Sequence, residues 1–323
     1  MPHKRHRAGD PSSEFVHLTL ITSMTRVPHL PANQAPLAPH YPWPATPAGP
    51  SKSALFLAVD VDAEAAWTGK EPKNHERLVT MSYGGYEARV GVPKLLELFR
   101  DLELKATFFT AGWAAEAHPA MVESIARDGH EIAHHGFYHI MPDPGTPEIV
   151  DELDRGLEVL KRRLGVVPKG YRAPAGESCE QLRVLLKERG FQYSSSWRDD
   201  VRPYRQRLAD GTDGVIELPA TMTFDDWMYG LTHRFSPRSM FPREHVLSIW
   251  NDELEVTRDW GGMITTVLHP QVSGRAMRTK ILREFLEKAR SYNDVWITTG
   301  EQIAAHFEQC ESAEKAKAPQ ATL

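Results

Sequence analysis

Ala54-Leu55-Phe56-Leu57-Ala58-Val59-Asp60-Val61-Asp62 is the stretch on which the fold turns. Six apolar residues in a row, closed by a carboxylate, read as a strand buried on both faces, the pattern of a parallel sheet covered by helices. Around it the chain alternates. Residues 106–109, 130–133, 215–219, 263–268 and 295–298 are further short strands, and 170–174 leaves another. Residues 92–99, 114–127, 148–164, 180–189, 245–258, 279–291 and 302–307 are helical. Pro93 is tolerated in a first turn, and Gly129, Gly165 and Gly190 stand where helices stop. This succession predicts an α/β chain, a parallel sheet with helices outside, open or closed as a barrel.

Composition narrows the class. A chain of 323 residues, 41% hydrophobic, holds a core that stands without disulfides. Cys179 and Cys310 match no C-x-x-C pattern, which excludes a disulfide framework or a thiolate zinc site and suits a reducing compartment. The net charge of -5 is scattered, so no nucleic-acid surface is expected. No apolar run approaches the ~20 residues of a membrane span. The patch at 15–21 is too short for a signal peptide, which leaves a cytoplasmic setting. Residues 1–50 hold ten of the 24 prolines and read as a Pro-rich extended segment, within which Met24 is a candidate start. Tyr41 and Trp43 could anchor part of it to the domain surface. Residues 51–310 form the catalytic domain, and 311–323 a flexible tail.

In such folds functional residues gather at the carboxyl ends of the strands. Asp60 and Asp62, two apart on extended backbone, point the same way. Two carboxylates at one mouth repel unless a cation or shared proton intervenes, although either could instead cap a helix or loop. His134-His135-Gly136-Phe137-Tyr138-His139 follows the strand at 130–133. The spacing His135-x-x-x-His139 would set two imidazoles on one face of a helical turn. Nitrogen with carboxylate donors suits a borderline cation such as zinc, with a position open for water; paired histidines are as readily structural. His134 should point the other way, as core or support. Arg172 exits a strand into Ala173-Pro174, either to orient a carboxylate base or as a loop arginine. His269, in Leu268-His269-Pro270, could give up a proton near neutral pH or be structural. Trp67, Phe109, Trp113 and Trp227 are candidates to line a pocket, although large aromatics belong more often to cores.

As an ordered set over residues 54–307, these motifs resemble the polysaccharide deacetylases. Val59-Asp60-Val61-Asp62, Gly91-Val92-Pro93 and His269-Pro270-x-Val272-Ser273 are similar to the branch that holds intracellular peptidoglycan deacetylase-like proteins, cyclic imide hydrolases and metal-independent allantoinases. The resemblance implies a distorted (β/α) barrel with fewer than eight strands. It implies a divalent metal, zinc first, on Asp62, His135 and His139, and Asp60 as general base oriented by Arg172. His269 becomes the general acid, tuned by an aspartate in Phe224-Asp225-Asp226-Trp227, either Asp225 or Asp226. The implied reaction is hydrolysis of a non-peptide C–N bond, removing acetyl from an N-acetyl amino sugar or, alternatively, opening a cyclic imide or ureide. A homo-oligomer, dimer or tetramer, goes with it. Two departures favour a small, flat substrate: Val61 separates aspartates that are usually adjacent, and Ala175-Gly176 stands where an aromatic is common. An iron oxygenase also uses two histidines and a carboxylate, but leaves Asp60, Arg172 and His269 without a role. A non-catalytic binding protein on the same scaffold has no use for the full set.

Overall fold

The computed structural model describes residues 41–47, 49–141, 143–233 and 237–317. The strands are β1 (Ser53–Phe56), β2 (Ala58–Val61), β3 (Thr107–Thr110), β4 (Glu131–His134), β5 (Gly170–Tyr171), β6 (Tyr193–Ser194), β7 (Tyr204–Arg207), β8 (Asp213–Glu217), β9 (Met263–Thr265) and β10 (Val295–Thr298). The principal helices are α1 (Leu78–Tyr86), α2 (Val92–Asp101), α3 (Gly112–Ala117), α4 (Pro119–Arg127), α5 (Glu148–Leu164), α6 (Glu180–Glu188), α7 (Arg243–Trp260), α8 (Ala276–Ser291) and α9 (Gly300–Lys317).

The decisive apolar stretch serves two sheets. β1 lies between β9 and β10, parallel to both. β2 opens a 7-stranded sheet in the order β2-β3-β4-β5-β6-β8-β7, parallel except for β7. Leu57 is the pivot: its N–H donates to Thr298 O (3.1 Å) and its carbonyl accepts from Thr107 (2.9 Å). The chain after β9 then closes the ring. Asp60 N–H donates to Leu268 O (2.7 Å), and Asp226 N–H to Val267 O (3.1 Å). Where main-chain pairing lapses, the Thr266 hydroxyl accepts the Ala58 N–H at 2.7 Å. The result is a distorted (β/α) barrel with an irregular seam.

Strand alternation sorts the side chains. Leu55, Leu57, Val59 and Val61 pack outward with Phe108 and Ile132 under the helices. Phe56, Ala58, Phe109, Ala133 and Tyr193 belong to a second cluster. Phe56, Phe109 and Tyr193 meet edge to face at 6.1–6.4 Å although β3 and β6 are separated by two strands. Such contacts are possible only across the barrel interior.

Helices depart from expectation in three places. The span 114–127 is two helices: Pro119 begins α4 at its first turn, and His118 before it is non-helical (φ -128°, ψ 57°). α1 was not anticipated. α9 runs to Lys317, through residues 311–317 that read as tail, because Glu311 pairs with Arg205 (2.9 Å) and Lys315 (3.3 Å); 318–323 lie outside the described residues. So do residues 1–40 of the Pro-rich segment. Its end docks: Trp43 is buried and donates from Nε1 to Gly261 O at 2.9 Å, with the Tyr41 ring tilted against it at 4.3 Å. Among the described residues no helix is long and apolar enough to cross a membrane.

Candidate active site

The alternation of the stretch carries its inward face from Phe56 on β1 through Ala58 and Asp60 on β2 to Asp62 just past it, the two aspartates only 3% and 2% exposed at the barrel mouth. On β4, Ala133 faces inward, so His135 does too and His134 does not. His134 stacks on Tyr171, accepts the Gly136 N–H at Nδ1 (3.1 Å) and donates from Nε2 to Leu153 O (3.0 Å). With both ring nitrogens engaged, it has no lone pair to offer. The His135-x-x-x-His139 segment is not the helical turn expected from its spacing; no helix covers it. Gly136 (φ 69°) and His139 (φ 56°) take left-handed backbone, and the chain folds back on itself. Glu152 of α5 secures that loop by accepting the N–H groups of Phe137 and Tyr138, each at 2.9 Å.

The loop delivers His135 Nε2 to 3.4 Å from Asp62 Oδ1 and His139 Nε2 to 3.7 Å from Asp62 Oδ2. Ligand atoms of the three residues lie within 4.8 Å of one another. The set fits a cation. Asp62 Oδ1 is buried without a hydrogen-bond partner, an arrangement that costs ~1–3 kcal/mol unless something else satisfies it. His135 Nδ1–H donates to the Arg172 carbonyl (2.8 Å), fixing the tautomer that leaves Nε2 free to ligate. Two ligands ~2.1 Å from a tetrahedral ion are ~3.4 Å apart, which the His135–Asp62 separation matches. Burial lowers both imidazole pKa values, His139 to about 3, so both are neutral and able to ligate.

Asp60 sits beside this group, Oδ2 3.9 Å from His135 Nε2. Arg172 Nη1 donates to Asp60 Oδ1 at 2.6 Å, while its Nε and Nη2 are held by the carbonyl and hydroxyl of Ser195, each at 3.0 Å. Burial alone would raise the Asp60 carboxyl; the charge and hydrogen bond of Arg172, with the His269 imidazolium, outweigh it and hold the group below its ordinary value. Asp62 lacks such a partner, and burial with the Asp60 charge pushes it upward against His135 and His269.

His269 closes the opposite wall. Its Nδ1–H donates to Asp226 Oδ1 (2.7 Å), and Asp226 Oδ2 accepts from the His269 N–H (2.9 Å) and the Ser273 hydroxyl (2.5 Å). Asp226 is therefore the histidine's partner. Asp225 instead accepts the Trp227 N–H (3.0 Å) and lines the cavity. Burial alone would lower the His269 pKa, but the hydrogen bond and charge of Asp226, with Asp225 and Asp62, push it up to about 10.

These groups face one cavity of about 200 Å³, with Lys70, Arg198, Trp227, Ala175 and Gly176 among its other walls. Of the nominated aromatics, Trp227 lines it and Trp67 lines a neighbouring cavity. Phe109 lies beneath Arg172, 4.1 Å from the guanidinium, and Trp113 packs on the helix-side core. Sequence reasoning missed three supports: Glu152, Glu87 and Gln271. Glu87 accepts from Ala63 N–H and Gln271 Nε2, each at 3.0 Å. Burial and the Asp62 charge push Glu87 well above the ordinary carboxyl range. Glu152 did leave a signal, an acid among Ile149, Leu153, Gly156, Val159 and Leu160 on the buried face of α5.

Known proteins share the sequence and fold that carry these groups. Residues 72–194 match the family model described as polysaccharide deacetylase. A Helicobacter pylori peptidoglycan deacetylase is 28% identical, over 78% of this chain and 95% of its own. A crystal structure from Mycobacterium smegmatis, assigned as a polysaccharide deacetylase, is 36% identical with TM-score 0.78, covering 85% of this chain and 96% of that one. The allantoinase Puue shares the fold at TM-score 0.71 and 23% identity, over 89% of this chain and 96% of its own.

Proposed function

We propose, for a chain that belongs to the polysaccharide deacetylase family, the metal-dependent removal of an acetyl group from an N-acetyl amino sugar. Membership makes it a hydrolase of carbon–nitrogen bonds other than peptide bonds. What supports the finer reading is the meeting, in one cavity, of a cation-fitting triad, an arginine-held carboxylate and a carboxylate-held histidine.

Asp62, His135 and His139 would hold the ion, zinc first; such a cation, when bound, polarises a carbonyl and lowers the pKa of water toward ~7. Asp60, kept ionised by Arg172, takes the proton from the attacking water. His269, protonated at neutral pH, gives its Nε2 proton to the departing nitrogen, which would otherwise leave as a poor amide anion. Asp226 holds the ring in place through that transfer and fixes which nitrogen faces the substrate.

Two measurements test this. Protein purified without chelator should carry about one divalent ion per chain, and Asp62→Ala or His135→Ala should lose it. Asp60→Asn should keep the ion yet lower turnover by ~10²–10⁴; full activity in that variant would overturn the base assignment. A cyclic imide or ureide is the second reading, favoured by the small cavity and by Ala175 and Gly176 in its wall. A panel of N-acetylglucosamine oligomers, succinimide, hydantoin and allantoin separates the two.

A further inference from the structure

We infer that the substrate bears a carboxylate close to the scissile amide, received by Lys70 at the junction of the reaction cavity with a second, outer one. The inference rests on the reading of the site as an amide hydrolase and names the class of amide it takes. The outer cavity, about 430 Å³, shares Lys70 and Trp227 with the inner cavity, so Lys70 stands where the two adjoin.

The outer walls are aromatic. The rings of Trp67 and Trp227 lie 5.6 Å apart, and His233 lies 4.8 Å from Trp67. Such faces suit a sugar ring or a flat heterocycle. The charge lining the outer cavity is mainly positive: Lys70, Arg77 and Arg238 against the carboxylate of Glu71. Glu71 is already engaged, accepting the Lys73 N–H at 3.0 Å.

Lys70 differs from the other cations of the inner cavity. Arg172 is committed to Asp60 and His269 to Asp226, while Arg198 donates to the Gly176 carbonyl at 3.1 Å. Among the described residues no carboxylate lies within ion-pair distance of Lys70: Asp62 feels its charge from further off, and the Lys70 Nζ lies 5.0 Å from the centroid of Trp227. That indole is also 5.0 Å from the His269 ring, so the ammonium stands one side chain away from the proton donor. A carboxylate a few bonds from the amide would reach it while the amide stays between Asp60 and His269.

Matched pairs test this with the skeleton held constant and the charge removed: N-acetylmuramic acid against its primary amide, and hydantoin-5-acetic acid against hydantoin-5-acetamide. The acid of the productive pair should show kcat/KM ~10-fold or more above its neutral partner, mostly through KM. Lys70→Met should erase that preference and Lys70→Arg should retain it. Tryptophan fluorescence titrations with the same compounds report binding without turnover, and the preference should weaken with salt. Equal affinity for acid and neutral partner, no measurable binding of either, or a preference that survives Lys70→Met would overturn the inference. A Lys70-dependent preference in fluorescence without hydrolysis would sustain it and reject the reaction instead.

Discussion

Asp60 and Asp62 are two residues apart on one strand and equally buried, yet their neighbours drive them in opposite directions. Arg172 at 2.6 Å keeps Asp60 ionised, whereas Asp62 has no guanidinium against it and carries an orphaned oxygen facing the His135 imidazole. The first is thereby suited to take a proton and the second to hold a cation. His269 is tuned by the same logic with reversed sign. Asp226 stabilises the imidazolium, so its removal should lower the pKa from about 10 toward the ordinary 6.5. A general acid works only while protonated, so activity is lost as pH rises through that value. In Asp226→Asn the alkaline limb of the kcat/KM profile should therefore move to lower pH, with bound metal retained. An unmoved limb, measured on metal-loaded protein, would show that His269 is not the proton donor.

At the scale of elements, strand ends do the selecting and one helix does the bracing. The parity of the stretch opening at Ala54 puts Asp60 and Asp62 inside the mouth, and that of β4 separates His135 from His134; both were legible because alternation is a property of the sequence. The loop shape was not. The spacing of His135 and His139 suggests a helical turn, but the left-handed backbone at His139 depends on Glu152, 13 residues further along. The choice between Asp225 and Asp226 was equally illegible, because it depends on Ser273 and His269 arriving on the turn that follows β9. Pro119 was legible and went unread. Glu152 gives the element scale its prediction. Glu152→Ala leaves the Phe137 and Tyr138 N–H groups unpaired, at a cost of ~1–3 kcal/mol in denaturant unfolding. Because those groups shape the loop holding both histidines, metal affinity should fall ~10–100-fold. Unchanged affinity alongside lost stability would reduce Glu152 to a purely structural residue.

For the whole molecule, β4 is an interior strand of the seven-stranded sheet, and neutral imidazoles stand at both of its ends. His130 accepts the Ala106 N–H at 3.1 Å and packs against Phe99 and Phe108, where burial lowers its pKa to about 4. His134, at the other end, is lowered by burial to about 3. Both titrate near 6.5 once the chain unfolds, so below that pH the unfolded state binds more protons than the barrel does. Their contribution is thus complete above pH 6.5 and shrinks as pH falls toward the folded values, by at most ~1.4 kcal/mol per pH unit for each group. The raised carboxyls of Glu87, Glu131 and Glu217 act in the opposite sense, favouring the fold at low pH and less as pH rises through their folded values. The histidine share is therefore best read as a difference. His130→Gln keeps an acceptor for Ala106 but cannot charge. Urea midpoints of the metal-free protein, compared between pH 7.5 and 5, should fall further for the native chain than for this variant. Equal losses would mean that His130 is not held neutral in the fold.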